Sequence, residues 1–343
     1  MTKGIKDWKV WVGFAFAFLC LYLAFRKVDL AQMAAAFRRI NVLMLLPILA
    51  VIFFSHWLRA LRWRYFLSST SRLDMNILFS ALMIGYMTNN FLPAHLGEVV
   101  RAFIVSRRRS VAGGTVFATI VIERLLDAFT LLLLAALTLL VFPFPDWVRK
   151  SGMITLAVLI LFLAFLIWMK RHRAAASRLI ERLFSPLSAH LSSRLVHLVG
   201  SFLDGLTALR RKRDYLIVAV LSVVIWFCYM YVFRLGLAAF GFDKLYNLPW
   251  TASLVLLVIT TIAVVVPSSP GYVGTYHYLC QLALGLYNVP PGEALTFAFV
   301  IHGINFIPVL LVGLIILSLM GLSFKTVQQQ AEHFEEETES PTS

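Results

Sequence analysis

Charge is what this chain has least of. Only 14% of its 343 residues are Asp, Glu, Lys or Arg, against about a quarter in an ordinary globular domain. Hydrophobic residues make up 60%, and the mean hydropathy is +0.83. That balance excludes a soluble globular fold and reads as a polytopic membrane protein. Acidic residues are scarcer still, 17 against 31 Lys and Arg, for a formal net charge of +14. In a soluble chain such an excess would point to nucleic acid. Here the basic residues crowd the ends of apolar segments, where anionic lipid headgroups are the nearer partner, and no nucleic-acid partner is expected. Cysteine is almost missing: Cys20, Cys228 and Cys280 each sit in an apolar stretch without metal-ligand or disulfide spacing, so they read as small buried hydrophobes and no metal site is expected. Also lacking are an Asp-x-Asp pair, a Gly-x-Ser-x-Gly elbow, a Walker-type phosphate loop and any extramembrane stretch long enough for a catalytic domain. These absences argue against an enzyme, a cofactor and an energy-driven pump. No small-x-small cleavage site follows Leu23, so the first apolar run reads as a retained transmembrane helix.

What the chain does have is long apolar segments, at 8–25, 41–58, 77–92, 115–142, 152–169, 215–240, 250–266, 272–287 and 294–320. A full crossing needs about 20 residues. Segment 77–92 would rise only about 24 Å as a helix, and Pro93 stops it. A short phrase occurs twice at such interruptions: Pro93-Ala94-His95-Leu96-Gly97-Glu98 and Pro270-Gly271-Tyr272-Val273-Gly274-Thr275. Proline and glycine break helices, and broken helices in corresponding halves of a membrane protein point to a transport site. Pro93, Gly97, Pro270, Gly271 and Gly274 are therefore read as hairpin breakers.

Basic residues decide the topology. If 77–92 crossed fully, Arg101 and Arg107-Arg108-Arg109 would lie outside; a re-entrant hairpin over about 77–106 keeps them in the cytoplasm. A second hairpin, over about 250–287, then enters from the opposite face. The expected fold is an all-α polytopic membrane protein with about six full crossings plus two re-entrant hairpins in inverted orientation, both termini cytoplasmic. This arrangement leaves the loop 26–40, with Arg26, Lys27, Arg38 and Arg39, outside. Residues 1–325 read as a single transmembrane domain. Segment 174–213 reads as a cytoplasmic amphipathic helix that lies on the membrane or caps the bundle, and 326–343 as an acidic disordered tail.

Glu123, Arg124 and Asp127 interrupt segment 115–142, where each ionised side chain costs about 2.5–3.5 kcal/mol on insertion scales. Helical spacing puts Thr119, Glu123 and Asp127 on one stripe. Either they line a cavity, or the first turns stand in the cytoplasm as an exposed ion-pair cluster. Glu98 and Arg101, three apart, share a face and are positioned to meet Glu123 and Arg124, as a functional network or a purely structural clamp. The helix starting after each hairpin glycine offers unpaired N–H groups to an anion such as a phosphate. Asn89, Asn90 and His95 add hydrogen-bonding groups on the first hairpin, and Ser268, Ser269, Tyr272, Thr275 and His277 on the second; each lines the site or caps a turn. His302 and Asn305 read as a buried polar pair. Arg59, Arg62 and Arg64, with Trp57 and Trp63, read as interface anchors, with the gathering of lipid phosphates as the other role.

Three of these stretches together, Gly97-Glu98-Val99-Val100-Arg101-Ala102, Glu123-Arg124-Leu125-Leu126-Asp127 and Pro270-Gly271-Tyr272-Val273-Gly274-Thr275, resemble the transmembrane region of the lysylphosphatidylglycerol synthase and flippase-like family. The resemblance runs from the first crossing to about Gly321. It implies a bacterial or archaeal inner-membrane protein that moves lipids or lipid-linked intermediates between leaflets. Synthase activity in the family belongs to a separate aminoacyl-transferase domain and is not implied here. The family often has Gly-Gly and an acidic residue where this chain has Gly271-Tyr272 and Thr275. The function expected is passage of a phosphate-bearing lipid through a polar cavity between the hairpins, with Glu98, Arg101, Glu123, Arg124, Asp127, Asn90, His95, Tyr272 and Thr275 as substrate-binding residues. Membrane lipids are the expected partners, together with a lipid-synthesising enzyme. The alternative is a membrane-embedded enzyme or partner subunit in lipid or lipid-linked glycan modification.

Overall fold

A computed structural model of the chain describes residues 8–26, 28–68, 73–91, 96–109, 113–142, 171–184, 211–265 and 269–322, with scattered positions at 111, 150 and between 153 and 209. Pro93, His95, Ser268, part of 152–169, most of 185–208 and the tail 326–343 lie outside the described residues. Among the described residues there is no strand. The helices are α1 (Trp8–Phe25), α2 (Leu30–Arg39), α3 (Leu45–Leu67), α4 (Met75–Phe91), α5 (Gly97–Arg109), α6 (Gly113–Val141), α7 (Arg173–Phe184), α8 (Lys212–Ala239), α9 (Phe242–Leu245), α10 (Trp250–Val265), α11 (Thr275–Gly285) and α12 (Pro291–Leu319). The protein is an all-α membrane protein. Val42–Leu67, Lys212–Ala239 and Pro291–Leu319 are each long and apolar enough to cross a bilayer, and Gly13–Phe25 and Trp250–Ala263 are shorter apolar helices.

The two interrupted segments fold as packed helix pairs, α4 against α5 and α10 against α11, and α12 lies against α4 and α11, touching both. An apolar core sits beside each pair. One gathers Trp63, Phe66, Leu78, Ile84 and Val100 around α3 to α6. The other gathers Phe233, Phe240, Phe242 and Phe297 around α8, α10 and α12. Large apolar side chains point outward as well, among them Phe18, Leu140, Val223 and Leu319. Burial in water would forbid that; lipid tails accept it.

The arms of the first pair meet backbone to backbone. A Cβ added at Gly97 would stand 2.0 Å from the Gly85 carbonyl oxygen, and one at Gly85 would stand 2.5 Å from Arg101 Cγ. The second turn is equally crowded. Gly274 adopts φ 92°, and a Cβ there would come within 2.3 Å of the Ala17 carbonyl oxygen on α1. No larger residue fits at either place without moving backbone.

Two expectations need correction. The stretch 26–40 is not a loop: Leu30–Arg39 is a helix, capped by Asp29, whose side chain accepts from Ala31 N at 2.8 Å. It packs on α12, where Arg39 Nη1 lies 3.4 Å from Glu293 Oε1, so one of the four basic residues there is neutralised within the protein. The second correction concerns the crossing placed at 41–58, which continues as helix to Leu67 and carries Arg59, Arg62 and Arg64 within it. Of the amphipathic segment, α7 is described, with Arg173, Arg178 and Arg182 exposed.

Candidate functional site

Acidic and basic side chains that would be prohibitive singly in a bilayer converge from α3, α5 and α6. Arg101 Nη2 donates to Glu123 Oε2 at 2.8 Å, and Arg62 Nη2 donates to Asp127 Oδ1 at 2.8 Å while lying 3.8 Å from Glu123 Oε1. Arg59 pairs with Asp127 and donates to the Tyr86 hydroxyl. Arg124 completes the cluster, 3.6 Å from Glu123 Oε1 and 3.7 Å from Glu98 Oε1. Glu123 and Arg62 are 0% exposed and Arg101 is 1% exposed, which rules out a cluster standing in water at the head of α6.

Neutral groups hold the charged ones in place. Arg62 Nη1 donates to Ser222 Oγ at 3.0 Å on α8, and Trp63 Nε1 donates to Thr119 Oγ1 at 2.9 Å on α6. The Arg101 guanidinium lies 4.2 Å over the Trp63 ring, a cation–π contact. On the first hairpin Asn89 joins both arms: its Oδ1 accepts from Gly97 N at 2.7 Å and its Nδ2 donates to Glu98 Oε2 at 3.2 Å. The helix start at Gly97 is thus capped by Asn89, and it leaves Glu98 fixed beside Arg124.

The cluster is not electrically closed. Among the described residues four arginines (59, 62, 101, 124) face three carboxylates (98, 123, 127), a surplus of one positive charge. Its buried polar atoms without a hydrogen-bond partner among the described residues are Nε of Arg59, Arg62, Arg101 and Arg124, Nη1 of Arg101, Nη2 of Arg124 and Oε1 of Glu123. Six donors thus stand against one acceptor, and of the six the two on Arg124 still face carboxylate oxygens beyond hydrogen-bond length, at 3.6 and 3.7 Å. Buried groups of this kind are normally satisfied, so the deficit is one of acceptor oxygens. Arg124 is the member that reaches out, with 38% of its side chain exposed against 2% for Arg101.

The second hairpin comes to the same place. Its turn packs on α4, and the Tyr272 hydroxyl feels the charges of both Glu98 and Arg124. Tyr272 is held at φ 58° after Gly271 at 66°, and past extended Val273 the backbone turns positive again at Gly274, at 92°; a positive φ is one that a tyrosine seldom adopts. Hydroxyls close the turn from inside: Ser269 Oγ donates to the Val273 carbonyl at 2.8 Å, and Thr275 Oγ1 to the Tyr272 carbonyl at 3.1 Å.

Of the residues singled out in the sequence, Glu98, Arg101, Glu123, Arg124 and Asp127 come together in one cluster, and Tyr272 stands beside it. Thr275 is buried and serves its own turn, and Asn90 is half-buried next to Asn89, which does the capping. His302 pairs with His277 at 3.3 Å and not with Asn305, whose Nδ2 donates to the Ile301 carbonyl at 2.8 Å. Of the residues read as interface anchors, Trp57 and Arg64 are exposed, whereas Arg59, Arg62 and Trp63 are buried and do not reach the interface. Their spacing carried a signal: 59, 62, 63 and 66 form one helical stripe once the helix is continued past residue 58.

Fold and cluster together define a multi-pass helical membrane protein with an arginine-rich ionic site beside two glycine-broken turns. The sequence model of the lysylphosphatidylglycerol synthase TM region matches residues 10–313, and the chain belongs to that family. A UPF0104 membrane protein of Methanothermobacter thermautotrophicus is 22% identical over 211 residues, 57% of this chain and 61% of the relative. A second UPF0104 membrane protein, of Methanocaldococcus jannaschii, is 19% identical over 246 residues, 68% of this chain and 71% of its own. Glycosyltransferase AglD of Haloferax volcanii is 25% identical over 284 residues, 75% of this chain and 46% of that protein. The chain thus spans less than two thirds of the first and third of these relatives. No solved structure matches.

Proposed function

We propose that the protein passes a phosphate-bearing lipid, or a lipid-linked intermediate, across the cell inner membrane between two re-entrant hairpins, the acyl chains staying in lipid. The observation that carries this reading is the deficit of acceptor oxygens: a surplus positive charge and six unpartnered donors against one unpartnered acceptor. A phosphate supplies several acceptor oxygens and negative charge, and arginine's planar fork matches it. Arg124, half in the open, takes the headgroup first; Arg101 backs it, while Glu98, Glu123 and Asp127 orient the guanidinium groups. The hairpins α4–α5 and α10–α11 enter from opposite faces, so that Glu98 and Tyr272 bring the two turns to one headgroup. Both termini are cytoplasmic by the distribution of basic residues, the partners are anionic membrane lipids, and the chain carries out no covalent chemistry.

The test is leaflet exchange of a fluorescent phosphatidylglycerol in vesicles containing the purified protein, read by chemical quenching of the outer leaflet. Wild type should speed exchange, and Arg124→Gln should slow it at least tenfold while inserting normally. Undiminished exchange in the variant overturns the assignment. A second reading, a membrane-embedded enzyme or partner subunit in lipid-linked glycan modification, is favoured by the similarity to a protein named a glycosyltransferase. New product formed from a purified lipid-linked sugar by this chain would establish it.

A further inference from the structure

Two histidines of the second half form a hydrogen-bonded chain that headgroup binding leaves unused. Gly274 N donates to His277 Nδ1 at 3.2 Å, and His277 Nε2 lies 3.3 Å from His302 Nδ1, with the backbone of Gly271 facing the His302 ring. Each link fixes the next. An amide only donates, so His277 Nδ1 carries a lone pair and its ring proton is on Nε2. That proton points at His302 Nδ1, which must accept it. The His302 proton is then on Nε2. The chain therefore starts in the turn, at Gly274, and runs through two neutral rings, with both nitrogens of His277 and Nδ1 of His302 engaged.

Among the described residues the rings lie against aromatic neighbours. Phe299 lies 4.2 Å from the His277 ring, and Tyr276 and Phe306 lie 4.8 Å and 5.6 Å from the His302 ring. The titratable groups on the elements packed here are Tyr276, Tyr278 and buried Cys280 on α11, buried Cys20 and exposed Tyr22 on α1, whose first turn also carries Lys9, and Glu293 on α12, which Arg39 neutralises. Segment α10 has no titratable residue. From the turn itself comes Tyr272, which senses Glu98 and Arg124.

We propose that His277 and His302 form a binding site for one proton, and that its uptake releases the Gly271–Gly274 turn, so that proton movement drives headgroup passage. The added proton has only accepting nitrogens to go to. On His277 Nδ1 it expels the Gly274 amide; on His302 Nδ1 it breaks the link between the rings. Either event frees one hold on a turn whose three left-handed residues give it other conformations to relax into. Tyr272 transmits the change to Glu98 and Arg124. No covalent bond is made or broken: a proton enters from one face, and the same proton leaves to the other when the chain of bonds re-forms. The purpose of the site rests on the lipid-transport reading, whereas the site itself does not.

Nitrogen-15 histidine spectra of the protein in lipid discs test the site directly, with His277→Gln and His302→Gln as assignments. Both rings should be Nε2–H tautomers at about pH 8 and should take up a single shared proton on acidification. Two independent titrations, or none, overturn the proposal. Spin labels at Phe91→Cys and Val273→Cys, in a chain whose three cysteines are replaced by serine, report the turn. Their separation should change on acidification from about pH 8, together with the uptake of the shared proton, and stay fixed in His302→Gln; a distance that never changes overturns the coupling. In vesicles, an imposed pH gradient should accelerate phosphatidylglycerol exchange severalfold, and His302→Gln should abolish only that acceleration. Exchange indifferent to the gradient overturns the drive. Absence of exchange under every condition, with the shared proton and the turn movement present, rejects the lipid reading and leaves the proton site standing.

Discussion

Arg101 and Glu123, twenty-two residues apart, meet at 2.8 Å with neither side chain more than 2% exposed. The pair ties the return arm of the first hairpin to α6, and neither charge has water to fall back on. Removing one member of such a pair leaves the other buried and uncompensated, at a cost of about 3–5 kcal/mol. Arg101→Ala should therefore lower the thermal or denaturant midpoint of the purified protein by that order, measured by its tryptophan fluorescence. Arg124→Gln, whose side chain is 38% exposed, should leave it nearly unchanged. Equal loss in both would mean the cluster acts as one rigid clamp with no outward-facing member.

Arg62 and Arg64 are two positions apart on α3 and should behave oppositely. Arg62 is fully buried between Asp127, Glu123 and Ser222, whereas Arg64 is exposed. Arg62→Ala should cost about 3–5 kcal/mol of stability and Arg64→Ala within about 0.5 kcal/mol. Detergent-unfolding curves of the two variants decide it.

Much of the cluster could be read in the chain because charge inside an apolar run is costly enough to demand a partner. Glu123 and Asp127 announced themselves in that way, and the spacing of Glu98 and Arg101 named the partners. Arg59 and Arg62 did not, because arginine after an apolar run has an ordinary use as an interface anchor, and only tertiary packing shows that α3 continues for nine residues beyond position 58. The hairpin breakers were visible as proline and glycine. The reason for Gly97 was not, since it lies in the carbonyl of Gly85, twelve residues back. Nor was α2, whose mixed composition reads as a loop until α12 offers it a surface. The link from His277 to His302 spans two helices and leaves no periodic trace.

The Gly85 contact makes a steric prediction. With a Cβ at Gly97 placed 2.0 Å from a backbone oxygen and 2.5 Å from Asn89 Oδ1, no side chain can swing aside to make room. Gly97→Ala should destabilise by about 1–3 kcal/mol or more and lower the yield of folded protein. Gly114→Ala, where a Cβ meets nothing within 4 Å, is the control, and should be neutral or slightly stabilising. Size-exclusion profiles and melting midpoints of the pair provide the measurement.

At the far end of α12 the linkage is to alkaline pH. Burial, with the Glu293 carboxylate nearby, pushes the Tyr246 phenol up to about 12. A folded value above the unfolded one, near 10, means the neutral phenol is favoured by folding. Its contribution is complete below about pH 10 and is lost as pH rises toward about 12. Tyr246→Phe should flatten the fall in stability across that window. An unchanged pH profile would show that Tyr246 does not sense Glu293.

The cargo itself is open to a direct weighing. If the unpartnered donors of Arg101 and Arg124 are there to receive phosphate oxygens, lipid should remain attached through detergent extraction, held by contacts that water competes for poorly in a buried site. Mass spectra of the intact protein should then show one phosphate-bearing lipid class enriched over its share of the membrane. Arg124→Gln should lose that enrichment without losing the mass of the folded protein or its general, unselective lipid. Loss of roughly tenfold in retained lipid corresponds to about 1.4 kcal/mol, less than the worth of a charge-assisted hydrogen bond at about 1.5–3 kcal/mol, so the effect sits well within what one guanidinium supplies. An unselective profile, identical in wild type and variant, would instead assign the surplus donors to water and the cluster to structure alone.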